Sequence, residues 1–139
     1  MINENDIIDK LYTLLSGVDN LQYVYKGIPN ETQGYPSAFI IPVSWEDEFA
    51  DTRDTTVNAS FKIVVTVAFG TDMMAAQDSL RDAVVAVRTV LGEQANITLD
   101  NTVDSSRLTS GQYFFDTKEQ MVAYCEIEYK VRKRFNRYA

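Results

Sequence analysis

The chain of 139 residues has no histidine, which excludes Ser-His-Asp and Cys-His nucleophile arrangements and every zinc site built on imidazole. A single cysteine, Cys125, excludes all-thiolate zinc and any intramolecular disulfide. It falls among the inward positions of an alternating strand, so it reads as a buried packing thiol in a reducing compartment. The six glycines, at 17, 27, 34, 70, 92 and 111, include no pair two apart. Neither the dinucleotide fingerprint nor the phosphate-binding loop can be written onto them. No apolar run approaches the roughly 18 residues of a membrane span, and MINENDIIDK lacks the basic start and apolar stretch of a secretory signal. The expectation is a cytosolic product with no cofactor, no metal and no membrane role.

Against those gaps stands VNASFKIVVTVAF, Val57 to Phe69, whose odd positions are all apolar. Strict period-two alternation over that length predicts one long, half-buried strand. At about 3.3 Å per residue it spans roughly 43 Å, whereas a compact chain of this size has a diameter on the order of 37 Å. The strand is therefore predicted to outreach its own domain. Before it, WEDEFADTRDTT (Trp45 to Thr56) reads as an acidic connector following the apolar strand AFIIPV at 38–43. The two strands are predicted to form a hairpin that projects outward, with Pro42 marking an edge or bulge.

Elsewhere, Asn3 is placed to cap a first helix carrying Ile7, Ile8, Leu11, Tyr12, Leu14 and Leu15, which Gly17 ends. Leu21 to Tyr25 is a short strand, followed by a loop rich in proline and glycine. Thr71 or Asp72 caps a second helix running to about Leu91, with Met73, Ala76, Leu80, Ala83, Val84, Val87 and Leu91 on one face. Ala83 to Val87 is apolar throughout, which suits either a subunit contact or burial beneath the first helix. Ile97 to Leu99 reads as a short strand or extended piece, Asp100 to Gly111 as a long polar surface loop, and Tyr113 to Phe115 as the start of a strand. Met121 to Phe135 is the second long strand, Ala123, Cys125, Ile127, Tyr129 and Val131 lining one face and Glu126, Glu128, Lys130 and Arg132 the other. The fold class that follows is α+β, one domain over residues 1–139: a mostly antiparallel sheet with two helices packed on one face and a long projecting β-hairpin.

The net charge is -7, against nonspecific nucleic-acid binding by the body of the protein. It is unevenly spread. Lys130, Arg132, Lys133, Arg134 and Arg137 crowd the end without an acid among them, leaving eight basic residues against twenty acidic ones, a net of -12, in the rest. Interleaved with Tyr129, Phe135 and Tyr138, that end has the composition of an acidic-partner or nucleic-acid contact, and a frayed terminus is the plain alternative. Glu46, Asp47, Glu48, Asp51 and Asp54 supply carboxylates for glycosidase-type chemistry, but a solvated connector lacks the dry pocket a working acid needs. Trp45 and Phe49 flank those acids as interface anchors, or Trp45 folds back as a lid. Glu126 and Glu128 are expected to form cross-strand ion pairs, Lys62 being a partner.

A short first helix, the loop Gly34-Tyr35-Pro36 entering an apolar strand, an acidic connector, a very long strand, a helix and closing strands, with GYPSAFIIPVSWEDEF at the centre, together resemble the tail terminator (tail completion) proteins of long-tailed phages, the lambda type and its relatives. The resemblance implies a non-enzymatic virion protein forming a homo-oligomeric ring, usually of six copies, at the head-proximal end of a tail tube. Such a ring stops tube polymerisation, offers a surface to a head-completion or neck protein and lets DNA pass through its lumen without specific binding. It implies an interface or lumen role for Trp45, Glu46, Asp47, Glu48, Phe49, Asp51 and Asp54, and the basic end of Lys130, Arg132, Lys133, Arg134, Arg137 and Tyr138 is expected to aid association. A neck connector of the same virion and a strand-adding adaptor are the competing readings.

Overall fold

The computed structural model describes residues 3–49 and 53–136. Helix α1 (Glu4–Ser16) opens at Asn3, whose side chain accepts from the Asn5 amide, and ends at Gly17, whose N–H closes on Leu14 and Leu15 carbonyls. Strands β1 (Tyr23–Tyr25), β2 (Ser37–Phe49) and β3 (Asp54–Ala68) follow. Helix α2 (Met73–Gly92) is capped by Asp72, which accepts from the Ala75 amide. A 3₁₀ turn (Gln94–Asn96) then leads to β4 (Ser105–Asp116) and β5 (Val122–Asn136).

The five strands form one sheet in the order β1-β2-β3-β5-β4, antiparallel except for the short β1–β2 pair. Both helices cover one face. Ile7, Leu11 and Leu15 of α1 and Leu80, Ala83, Val84, Val87 and Leu91 of α2 join Phe61, Ile63, Val65, Ile127 and Tyr129 in a single apolar core. Burying each large aliphatic or aromatic side chain contributes about 1.5–3 kcal/mol, so this stripe-on-sheet contact is the main stabilising term.

Several expectations change. Trp45 to Thr56 is not a connector: its first five residues complete β2 and Asp54 onward begin β3, in register from Phe49↔Thr55 to Trp45↔Ala59. The backbone ladder holds this stretch extended although its side chains are polar. Asp100 to Gly111 is not one long loop, because β4 begins at Ser105 and runs unbroken through Tyr113 to Phe115. Ile97 to Leu99 is a turn, with Leu99 at φ 47 buried in the core rather than paired in the sheet. Met73 is exposed instead of joining the buried face of α2. The bulge expected at Pro42 is present as a register shift between Pro42 and Ser44.

Strand β3 is continuous for 15 residues, about 50 Å of chain. The helix-covered core stops at the row formed by Ala59 and Val131; Val57 is buried but lies outside it. Beyond that row, residues 54–58 of β3, the end of β2 and residues 132–136 of β5 run on for roughly another 16 Å. The arm is thus three strands wide, since β5 accompanies the hairpin to Asp54↔Asn136.

Candidate functional site

Alternation assigns every arm residue to a face. On the face away from the helices, the register stacks Ser44, Ser60, Lys130 and Arg107 in one row, Glu46, Asn58, Arg132 and Ser105 in the next, and Glu48, Thr56 and Arg134 beyond. The first two of these rows line a shallow groove of about 490 Å³. Trp45 and Asp47 point the other way, to the helix side, because they pair with the inward-facing Ala59 and Val57.

The acids and the basic end, far apart in sequence, are therefore neighbours. Arg134 donates from Nε and Nη2 to Asp54 Oδ2 at 3.0 and 2.9 Å, and its backbone N–H donates to Asp104 Oδ2 at 2.7 Å. Asn58 Nδ2 donates to Glu48 Oε2 at 3.3 Å. Lys133 turns inward and donates to the Thr102 carbonyl at 3.0 Å, its ammonium 5.5 Å from the Phe135 ring. The basic residues 130–136 are strand, not a frayed end. Asp51, Arg137 and Tyr138 lie outside the described residues. Lower on the same face, Lys62 pairs across strands with Glu126 at 3.3 Å, as expected, whereas Glu128 pairs within its own strand β5, with Lys130 at 3.2 Å. The hydrogen bond from Lys130 holds the Glu128 carboxyl below its ordinary pKa. No three His, Cys, Asp or Glu side chains converge on a common metal position among the described residues, and no helix is long and apolar enough to cross a membrane.

Exposed apolar groups are arranged with more order than the charges. Among the described residues nine large ones are exposed, four of them on the two open edges of the sheet, Val43 and Trp45 on β2 and Tyr113 and Phe115 on β4. Val43 and Trp45, the latter 62% exposed, lie on β2; Trp45 is no lid. Tyr113, Phe115, Met121, Val85, Met73 and Met74 lie on β4, the turn after it and α2. Between α2 and β4 runs a second groove of about 270 Å³, lined by Val84, Arg88, Leu108, Gly111, Tyr113, Cys125 and Ile127. Burial raises the Cys125 thiol pKa, consistent with the packing role expected for it, and raises that of Tyr113, with Arg88 and Arg81 pulling the phenol the other way. Sequence reasoning missed this groove. Its one signal was the apolar run Ala83 to Val87, of which Val85 is exposed.

Both edges of the sheet are largely open. Strand β1 covers only Ser37 to Phe39 of β2, and among the described residues no strand lies beyond β4.

No family model matches this chain, and no curated protein matches it. Among solved structures, a chain of the virion of a native gene transfer agent (GTA) particle is similar. The match covers 90% of this chain and 84% of that one at 14% identity, with a TM-score of 0.46.

Proposed function

We propose that this chain is a structural virion protein that assembles as a ring, of six copies, at the head-proximal end of a phage tail tube, where it stops tube growth and presents the joining surface for the head. The observation that carries the reading is the placement of Val43 and Trp45 on one sheet edge and Tyr113 and Phe115 on the other, along backbone that no described strand pairs. Unpaired edges of this length invite pairing. A chain with two different sticky edges makes head-to-tail contacts, and when the rotation between copies closes, every edge is satisfied by a fixed number of copies. Growth of the assembly ends there.

The charged face of the arm suits the boundary of such a ring. With Asp54 clamped on Arg134, and Glu46 and Arg132 in one row on either side of Asn58, it presents mixed sign rather than the wholly acidic surface expected from the connector. Mixed charge gives sliding DNA no continuous cationic track to grip.

The test is tube polymerisation. Purified tail tube protein is allowed to polymerise with and without this chain, and tube lengths are measured by negative-stain electron microscopy. The expected result is a length distribution truncated in proportion to added protein, with density at one tube end. Unchanged tube lengths and bare ends would refute the terminator role.

A further inference from the structure

We propose that copies join edge to edge, the free half of β2 (residues 43–49) lying along β4 of the next copy with Trp45 seated over the groove between α2 and β4. This rests on the ring reading above and names its interface. Four observations converge on it.

The strand directions fit. Passing across the sheet, β2, β3, β5 and β4 alternate in direction, so β2 of a second copy laid beside β4 continues the antiparallel pattern without reversal. The faces fit as well. Trp45 points to the helix side of β2, and Tyr113, Gly111 and Leu108 point to the helix side of β4, so a continued sheet brings the indole next to the groove. The charges are complementary. Asp47 shares the helix side of β2 with Trp45, and residues 37–49 carry no basic residue, whereas Arg88 lines the groove; Arg81, seven residues before it on α2, is already paired with Asp78. An acidic strand with an aromatic anchor meeting an apolar groove rimmed by guanidinium is the composition of an energetic interface centre.

Finally, the arm cannot fill its own groove. Strands β2 and β4 are separated by β3 and β5, three spacings or about 14 Å, and the arm is locked to β3 by continuous pairing. The occupant must come from another copy.

The experiment is a disulfide trap in a Cys125→Ala background, which removes the native thiol. Val43→Cys and Val85→Cys are combined in one chain; both positions are exposed and Trp45 stays in place, so folding and assembly are retained. Mild oxidation of the assembled protein is expected to give a ladder of covalent multimers that collapses on reduction. Mixing the two single variants is expected to give dimers only. Assembly by light scattering without any ladder overturns this interface and leaves the ring reading standing. Failure to assemble, alone or on tube ends, overturns both. Dimers from Val85→Cys alone would indicate a two-fold contact between α2/β4 surfaces, which also overturns the proposal. As an independent arm, Arg88→Glu is expected to weaken assembly about tenfold and Asp47→Arg to restore it in the double variant; absence of restoration overturns the charge pairing.

Discussion

Tyr129 stands at the root of the arm, in the row Pro42, Phe61, Tyr129 and Leu108, and is wholly buried. Among the described residues its hydroxyl makes no hydrogen bond of good geometry: the Ser106 hydroxyl lies near enough to favour the phenolate slightly, but it donates to the Ile97 carbonyl at 2.7 Å. Leaving a buried hydroxyl unsatisfied costs about 1–3 kcal/mol. Tyr129→Phe removes that penalty without opening a cavity, so it is expected to stabilise the fold by about 1 kcal/mol at neutral pH. With an unfolding entropy of about 2.1 cal/mol/K per residue, that is a rise in Tm of about 3 °C. Alkaline pH sharpens the contrast. Burial pushes the phenol from 10.0 up to about 12, so folding holds the proton. The associated stability is intact below pH 10 and is lost as pH rises from 10 to 12, reaching about 1.4 kcal/mol by pH 11. Tyr129→Phe has no such loss, and other titrating groups are shared. Thermal melts of both proteins at pH 7, 9 and 11 should therefore show a gap that is constant to pH 9 and then widens by about 5 °C. A variant less stable than wild type at pH 7, or a gap that does not grow with pH, would refute the orphaned hydroxyl.

Core and interface should separate by their readouts. Phe61→Ala, at a fully buried position, is expected to lose about 3–5 kcal/mol in denaturant melts, while Trp45→Ala should change the monomer by under about 0.5 kcal/mol yet abolish assembly in light scattering. Asp72→Ala removes the acceptor for the Ala75 amide and should cost about 1 kcal/mol, visible as reduced helical stability by circular dichroism. Gly34→Ala would place a methyl 2.5 Å from Tyr23 Cε2, and the crowding should cost about 1–3 kcal/mol; an unchanged melting curve would show that the β1 ring gives way freely.

What was legible in sequence was whatever the helices bury. The caps Asn3 and Asp72, the apolar stripes of α1 and α2, and the alternation of β3 and β5 all record contact with one core. What was hidden lies where that core does not reach. In β4 only Ser106 is buried, because the strand is an edge that α2 covers in part, so no apolar pattern was required of residues 105–110. The end of β2 is polar for the same reason and is held by its ladder to β3. The meeting of acids with basic residues followed from register, Thr56↔Arg134 and Asn58↔Arg132, which no local pattern encodes. On the proposed reading the two sheet edges are unpatterned in a single chain because a second copy would bury them.

The claim beneath all of this is that two unlike sheet edges close a ring on a tube end. Rotational class averages of tube ends bearing this protein test it most directly. The account predicts one annulus of fixed symmetry, with each copy's arm overlapping its neighbour. Single copies scattered along the tube, or open filaments without a repeating closure, would contradict it.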